Sequence, residues 1–339
     1  MSKLLSVITI VIALAAVSCH SVEEWNDDPV GNFDALWIGI DRHYCFLDEK
    51  GIDWDSVYRV YRPRVTDETD QVELFGICSD MLDELRDGHV NITSTFATSY
   101  YKKWWSDYPQ NYDERLVDEY YLNFGGFTRG AFTYAILPDS IAYVRYSTFS
   151  SMPGEGTLDW MFMLLRDCHG MIFDIRDNGG GAISNVETIV SRFIDRRILA
   201  GYITHKSGPG HNEFSEPYAF YFDPAGEGRP SWNKPVVVLT NRSTFSAANN
   251  FASVMSLLPQ VTLVGDRTGG GSGMPFSSEL PCGWSYRFSA SPVYDAEMHL
   301  TEFGVEPDIH VDLDPEKARH GIDTMLDTAI EVIRKNTEK

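Results

Sequence analysis

Apolar positions in the first third of the chain recur at helical spacing. Phe33, Leu36, Trp37, Ile40 and Tyr44 fall at three- and four-residue steps, as do Trp54, Val57, Tyr58 and Tyr61, and then Val72, Phe75, Cys78, Leu82 and Leu85. Each stripe predicts an amphipathic helix, the second closed by Pro63. Together they predict a small helical subdomain over 30–92, redirected at Asp87-Gly88-His89 and ending in a short strand at 90–93. Residues 93–130 form a connecting segment rich in Tyr, Trp and charge, whose aromatics fit either a groove lining or ordinary packing. From residue 131 the pattern changes to short apolar runs between turns. A hairpin is predicted over 132–145, buried strands over 171–175, 235–239 and 261–264, and helices over 158–168, 186–193 and 246–257. Glycine clusters and hairpin-like pairs follow to about His310, and the stripe Ile322, Met325, Leu326, Ala329, Ile330, Ile333 predicts a closing helix. Strands alternating with helices imply an α/β core over 131–339.

The first residues do not fit this scheme. Lys3 precedes an apolar run from Leu4 to Val17, shorter than the ~20 residues a membrane-spanning helix needs and suited to a signal-peptide core. The run ends Ala16-Val17-Ser18-Cys19, which resembles a bacterial lipoprotein signal and implies a leader over 1–18 with Cys19 lipidated. An ordinary signal peptide cut nearby is the plainer reading. The polar, acidic stretch after Cys19 reads as a tether over 19–29. These features predict an exported protein, lipid-anchored in the bacterial cell envelope at the outer membrane, touching membrane through that anchor alone.

Composition narrows the partners. Lys and Arg number 28 against 49 Asp and Glu, a formal charge of −21, which repels phosphate backbones and argues against nucleic acid. Cys45, Cys78, Cys168 and Cys282 are scattered without a CxxC pair, so zinc ligation is unsupported and buried, unpaired thiols are expected. The chain has no GxxxxGK phosphate loop, no HExxH helix and no GxSxG elbow. Gly269-Gly270-Gly271-Ser272-Gly273 follows a strand without a surrounding dinucleotide fingerprint.

Two segments remain as candidate chemistry. Ser246 opens a predicted helix directly after a buried strand, where unpaired backbone N–H groups favour a nucleophile and an oxyanion. The same position suits a serine that merely caps the helix. The three glycines Gly179, Gly180 and Gly181 also follow a buried strand, and either close approach to a ligand or a tight turn explains them.

Arg176-Asp177-Asn178-Gly179-Gly180-Gly181, then Ser243-Thr244-Phe245-Ser246-Ala247-Ala248, then Gly304-Val305-Glu306-Pro307-Asp308 resemble, in this order, the S41 peptidases, which include C-terminal processing and tricorn-core proteases. The resemblance covers about 85–312. It implies a crotonase/ClpP-like α/β catalytic core and peptide hydrolysis without metal or organic cofactor, on peptides or unfolded proteins. It implies Ser246 as nucleophile and the N–H groups of Gly180 and Ala247 as oxyanion hole, with Gly179 a rival for Gly180. One design in the family pairs the serine with a following lysine, yet this chain has no lysine between Lys234 and Lys317. The tricorn-like design takes a histidine from an earlier segment and a glutamate after the serine, which His89 and Glu302 match, with Glu306 close by. Gly88 leaves that design's auxiliary serine role unfilled. The interval from His89 to Ile141 is too short for the PDZ module common in tail-specific members. The alternative is a non-catalytic envelope lipoprotein binding peptide or glycan on the same fold, motivated by the aromatics of 97–128.

Overall fold

The computed structural model describes residues 25–337; the apolar leader and Cys19 lie outside them. Three helices open the described chain: α1 (Pro29–His43), α2 (Trp54–Tyr61) and α3 (Gln71–Asp83). Asp28 and Asp70 cap α1 and α3 by accepting first-turn N–H groups. There follow β1 (Asn91–Thr93), β2 (Thr98–Tyr100), β3 (Phe127–Arg129), β4 (Phe132–Leu137) and β5 (Ile141–Tyr146). Then come α4 (Glu155–Leu165), β6 (Gly170–Asp174), α5 (Ile183–Val190), β7 (Ile198–Ile203) and β8 (Tyr218–Phe222). The chain continues with β9 (Val236–Thr240), α6 (Ala247–Ser256), β10 (Val261–Gly265), β11 (Gly273–Glu279), β12 (Ser285–Tyr294), β13 (Ile309–His310) and α7 (Thr324–Thr337).

Seven strands form one sheet in the order β13-β10-β9-β6-β5-β4-β3, parallel from β13 to β5 and antiparallel beyond. Its central strands are buried on both faces, which explains their unbroken apolar runs. Side chains divide by alternation. Val236 and Val238 of β9 join Met171 and Phe173 of β6 in a core with α4, α5 and α6, while Val237, Leu239 and Ile172 face α7 through Met325, Leu326 and Ala329. The expected α/β class and the closing helix are therefore both present.

A second, antiparallel sheet runs β2-β1-β12-β7-β8, with β11 also paired to β12. The N-terminal helices sit on it. Phe33, Ile40, Cys78 and Leu82 share one apolar core with Leu280, Trp284, Tyr286 and Phe288. The expected small helical region at the N-terminus is present, and its apolar core is completed by a hairpin some two hundred residues later. Strand β11 is largely exposed and β12 mixes buried with exposed and half-buried positions, so no unbroken buried run announces them. Cys45, Cys78, Cys168 and Cys282 are free thiols. Among the described residues no helix is long and apolar enough to cross a membrane.

Candidate active site

The site lies where the loops after β6 and β9 leave the carboxyl ends of adjacent parallel strands, a place where open α/β sheets bind ligands. The two loops are tied together. Asn241 accepts from the Asp177 N–H at 2.9 Å and donates to its carboxylate at 2.7 Å, and the Phe245 N–H donates to the Asn178 carbonyl at 3.0 Å.

Ser246 sits at the N-cap of α6 with φ 59° and ψ −120°, a conformation that costs a non-glycine residue about 1–3 kcal/mol. Its own N–H is pinned to the Gly270 carbonyl at 2.8 Å. Its side chain makes no capping bond to the helix. Instead Oγ lies 3.0 Å from Nε2 of His89. The capping alternative therefore fails on geometry, and the turn has the strained strand-to-helix form of a nucleophile elbow without its glycine signature.

His89 is carried by the turn between α3 and β1. Gly88 permits this turn to pass under an aromatic lid, since a Cβ there would stand 2.4 Å from Nε1 of Trp104. Trp104 stacks on Phe245 with ring centroids 4.1 Å apart, and Phe245 packs on the His89 ring at 4.7 Å. Burial is the largest influence on the imidazole and lowers its pKa to about 4, against an upward pull from Asp87. The ring is thus neutral near pH 7 and able to accept a proton at Nε2. Its Nδ1 is buried without a hydrogen-bond partner among the described residues.

The expected third member stands elsewhere. Glu302 is buried, but its carboxylate pairs with Nζ of Lys50 at 2.8 Å and accepts the Ser272 N–H at 2.8 Å, rather than bonding to the imidazole. The carboxylate acting on His89 is Asp87, whose Oδ1 accepts the His89 backbone N–H at 2.8 Å. Tyr44 and Ser289 hydroxyls hold the other oxygen at 3.0 and 2.8 Å. Burial opposes the Asp87 charge, yet Lys50 and His89 hold its pKa below the usual value. Burial and Asp87 push Glu302 up to about 7. Glu306, the nearby alternative to Glu302, is exposed and faces Arg267 at 3.4 Å.

The glycine loop comes close to Ser246. A Cβ on Gly180 would meet the Phe245 carbonyl at 2.6 Å and the Ala247 nitrogen at 2.8 Å. The Gly180 N–H, however, donates to Asn178 Oδ1 at 3.0 Å, which corrects its expected availability as an oxyanion donor. The N–H groups of Gly179 and Ala247 have no protein acceptor among the described residues. A cavity of about 480 Å³ joins Ser246, His89 and Gly179–Gly181 to Trp104, Trp105 and Arg287. Part of the aromatic segment thus lines the site, while Val117 and Leu122 pack in the core. Sequence reasoning missed Asp87 and Lys50 as the charges around the pair and Arg287 as part of the cavity wall. Asp87 reads in the sequence as one residue of a turn, and no motif marks the other two.

A half-buried serine on a neutral imidazole, beside unpaired backbone donors, is the apparatus of acyl transfer. Comparison with known proteins agrees. Residues 140–311 match peptidase family S41 and residues 26–83 match the Tricorn protease C1 domain. The chain belongs to peptidase family S41, a family of serine-type peptidases. A protein of Parabacteroides merdae ATCC 43184, described as a candidate peptidase, is 48% identical, with a TM-score of 0.86 over 91% of this chain and 97% of its own. The structure of mature CPAF, at 12% identity, shares the fold with a TM-score of 0.68 over 90% of this chain and 96% of its own. A candidate Tricorn-like protease C-terminal subunit of Sulfurisphaera tokodaii is 29% identical over 199 residues, which are 57% of this chain and 21% of that relative. The chain thus spans well under half the length of this curated relative.

Proposed function

We propose that this protein is a serine endopeptidase that hydrolyses peptides or unfolded protein segments at the cell envelope, acylated at Ser246 with His89 as base. The observation that carries the reading is the Ser246 side chain, which gives up its helix cap to lie 3.0 Å from a neutral imidazole. His89 takes the hydroxyl proton as Oγ attacks the scissile carbonyl. The tetrahedral oxyanion turns toward the N–H groups of Ala247 and Gly179. The imidazolium, stabilised by the Asp87 charge beside it, passes its proton to the leaving amine. Water then enters by the same base and releases the acid. Support for the envelope location comes from the leader and Cys19 alone.

Labelling with a fluorophosphonate probe tests the chemistry. Stoichiometric modification of Ser246, lost in Ser246→Ala and His89→Ala, is the expected result, with peptide cleavage lost in parallel. Clean resistance of the folded protein would favour the non-catalytic binder. Acylation of Cys19, sought by mass analysis of the envelope fraction, tests the anchor.

A further inference from the structure

Behind the Trp104 lid lies a second cavity of about 490 Å³ that shares Gly88, Trp104 and Phe245 with the one around Ser246. Its charge is opposite to that of the whole molecule. Lys50, Arg86, Lys103, Arg242 and Arg267 line it against two carboxylates, Glu49 and Glu302, in a chain whose net charge is −21.

Arg242 is the telling residue. It is 9% exposed, its guanidinium stacks on Tyr108 at 3.9 Å, and its polar contact is a marginal 3.5 Å bond from Nη1 to the Thr268 carbonyl. Its Nε has no partner, and among the described residues no carboxylate reaches it. The fully buried arginines are treated differently. Arg176 is bound by Asp174 and Asp323, and Arg192 by Glu155 and Asp159. A buried guanidinium without a counter-charge is expensive, and an anion entering from the cavity would remove that cost. Arg86, Lys103 and Arg267 stand around it, and the Arg267–Glu306 contact is a solvent-exposed pair that is easily displaced.

We propose that this cavity binds an oxyanion, with Arg242 as its anchor and Arg86, Lys103 and Arg267 around it. The anion is a carboxylate carried by an acidic peptide, or a free phosphate of the same donor demand. The aromatic walls Tyr101, Trp104 and Phe303 suit the peptide source, since they offer packing for the atoms that flank the charge. The position just across Trp104 from Ser246 makes the site an extension of the cleft rather than a remote patch.

The test uses the full chain carrying Ser246→Ala, so that binding is read without turnover and independently of whether Ser246 is acylated. Titration calorimetry compares a Glu-rich peptide, its Gln counterpart and inorganic phosphate. The expected result is binding of the Glu peptide about tenfold or more tighter than the Gln peptide, weakened by salt and by Arg242→Gln to a similar degree. Competition by phosphate, or phosphate binding without peptide binding, assigns the same site to the free anion. Should Arg242→Gln fail to fold, Lys103→Gln combined with Arg267→Gln, both at the cavity surface, is expected to lower affinity severalfold. Equal binding of the two peptides with no phosphate binding overturns the proposal, as does unchanged affinity in the folded variants.

Discussion

His89 Nε2 and Ser246 Oγ stand 3.0 Å apart across 157 positions of sequence. The pair is assembled by two bodies of the fold, the helices on the antiparallel sheet carrying the imidazole and the parallel sheet carrying the hydroxyl. Its geometry governs how the protein should respond to pH and to substitution.

Burial lowers the His89 pKa to about 4, so the base is lost only when the pH falls through that range. The acid limb of kcat/KM for peptide hydrolysis is expected to have its midpoint well below the ~6.5 of a free imidazole. A profile measured on a substrate without titrating groups checks this. A midpoint near ~6.5 would mean that the ring is solvated in the working enzyme.

Glu302 separates two roles by pH. Its folded pKa of about 7 exceeds the ordinary value of 4.5, so its stabilising contribution is complete below 4.5 and is lost as the pH rises through 7. Glu302→Gln cannot titrate and keeps an acceptor for the Ser272 N–H. The variant is expected to gain Tm relative to the parent as the pH rises across that window. Because the carboxylate does not bond to the imidazole, its kcat is expected to fall far less than that of His89→Ala. An equal fall would show that Glu302 reaches His89 during turnover.

The two neighbouring glycines make a controlled comparison. Gly180 has φ 95°, and backbone atoms lie 2.6 and 2.8 Å from where an alanine methyl would stand, so Ala there must displace the Ser246 turn; Gly179 has open space. Gly180→Ala is expected to cost about 100-fold in kcat, the scale of an ångström's misplacement of reacting groups. Gly179→Ala keeps its N–H and should remain within a few-fold of the parent. Steady-state assays of the two variants side by side decide it.

Lys50 is the cation between two buried carboxylates, 2.8 Å from Glu302 and 3.7 Å from Asp87. Burial opposes its charge, yet Asp87 and Glu302 hold its pKa above the usual value. Lys50→Met leaves those carboxylates unpaired and is expected to destabilise the fold by about 3 kcal/mol or more, read by denaturant titration at about pH 8. The loss should shrink at about pH 5, where Glu302 is protonated.

The parallel core was legible because its strands are buried on both faces, so Val236–Thr240 and Gly170–Asp174 announce themselves as unbroken apolar runs. Ser246, His89 and Glu302 were legible through family motifs, and all three come to the region of the cleft. What Glu302 does there was not legible, because its partner Lys50 lies in a polar turn with no periodic or motif signal. The far side of the N-terminal core was hidden for a related reason. The apolar stripes of α1 and α3 declare that they need a partner but not which, and Trp284, Tyr286 and Phe288 supply it from far along the chain.

That shared core has a consequence for truncation. Residues 33–92 pack among themselves, but part of the apolar surface they cover is supplied by residues 280–288. A chain cut short before that hairpin keeps Ser246 yet loses part of the bed beneath the turn that presents the imidazole, so its hydroxyl is expected to stay inert.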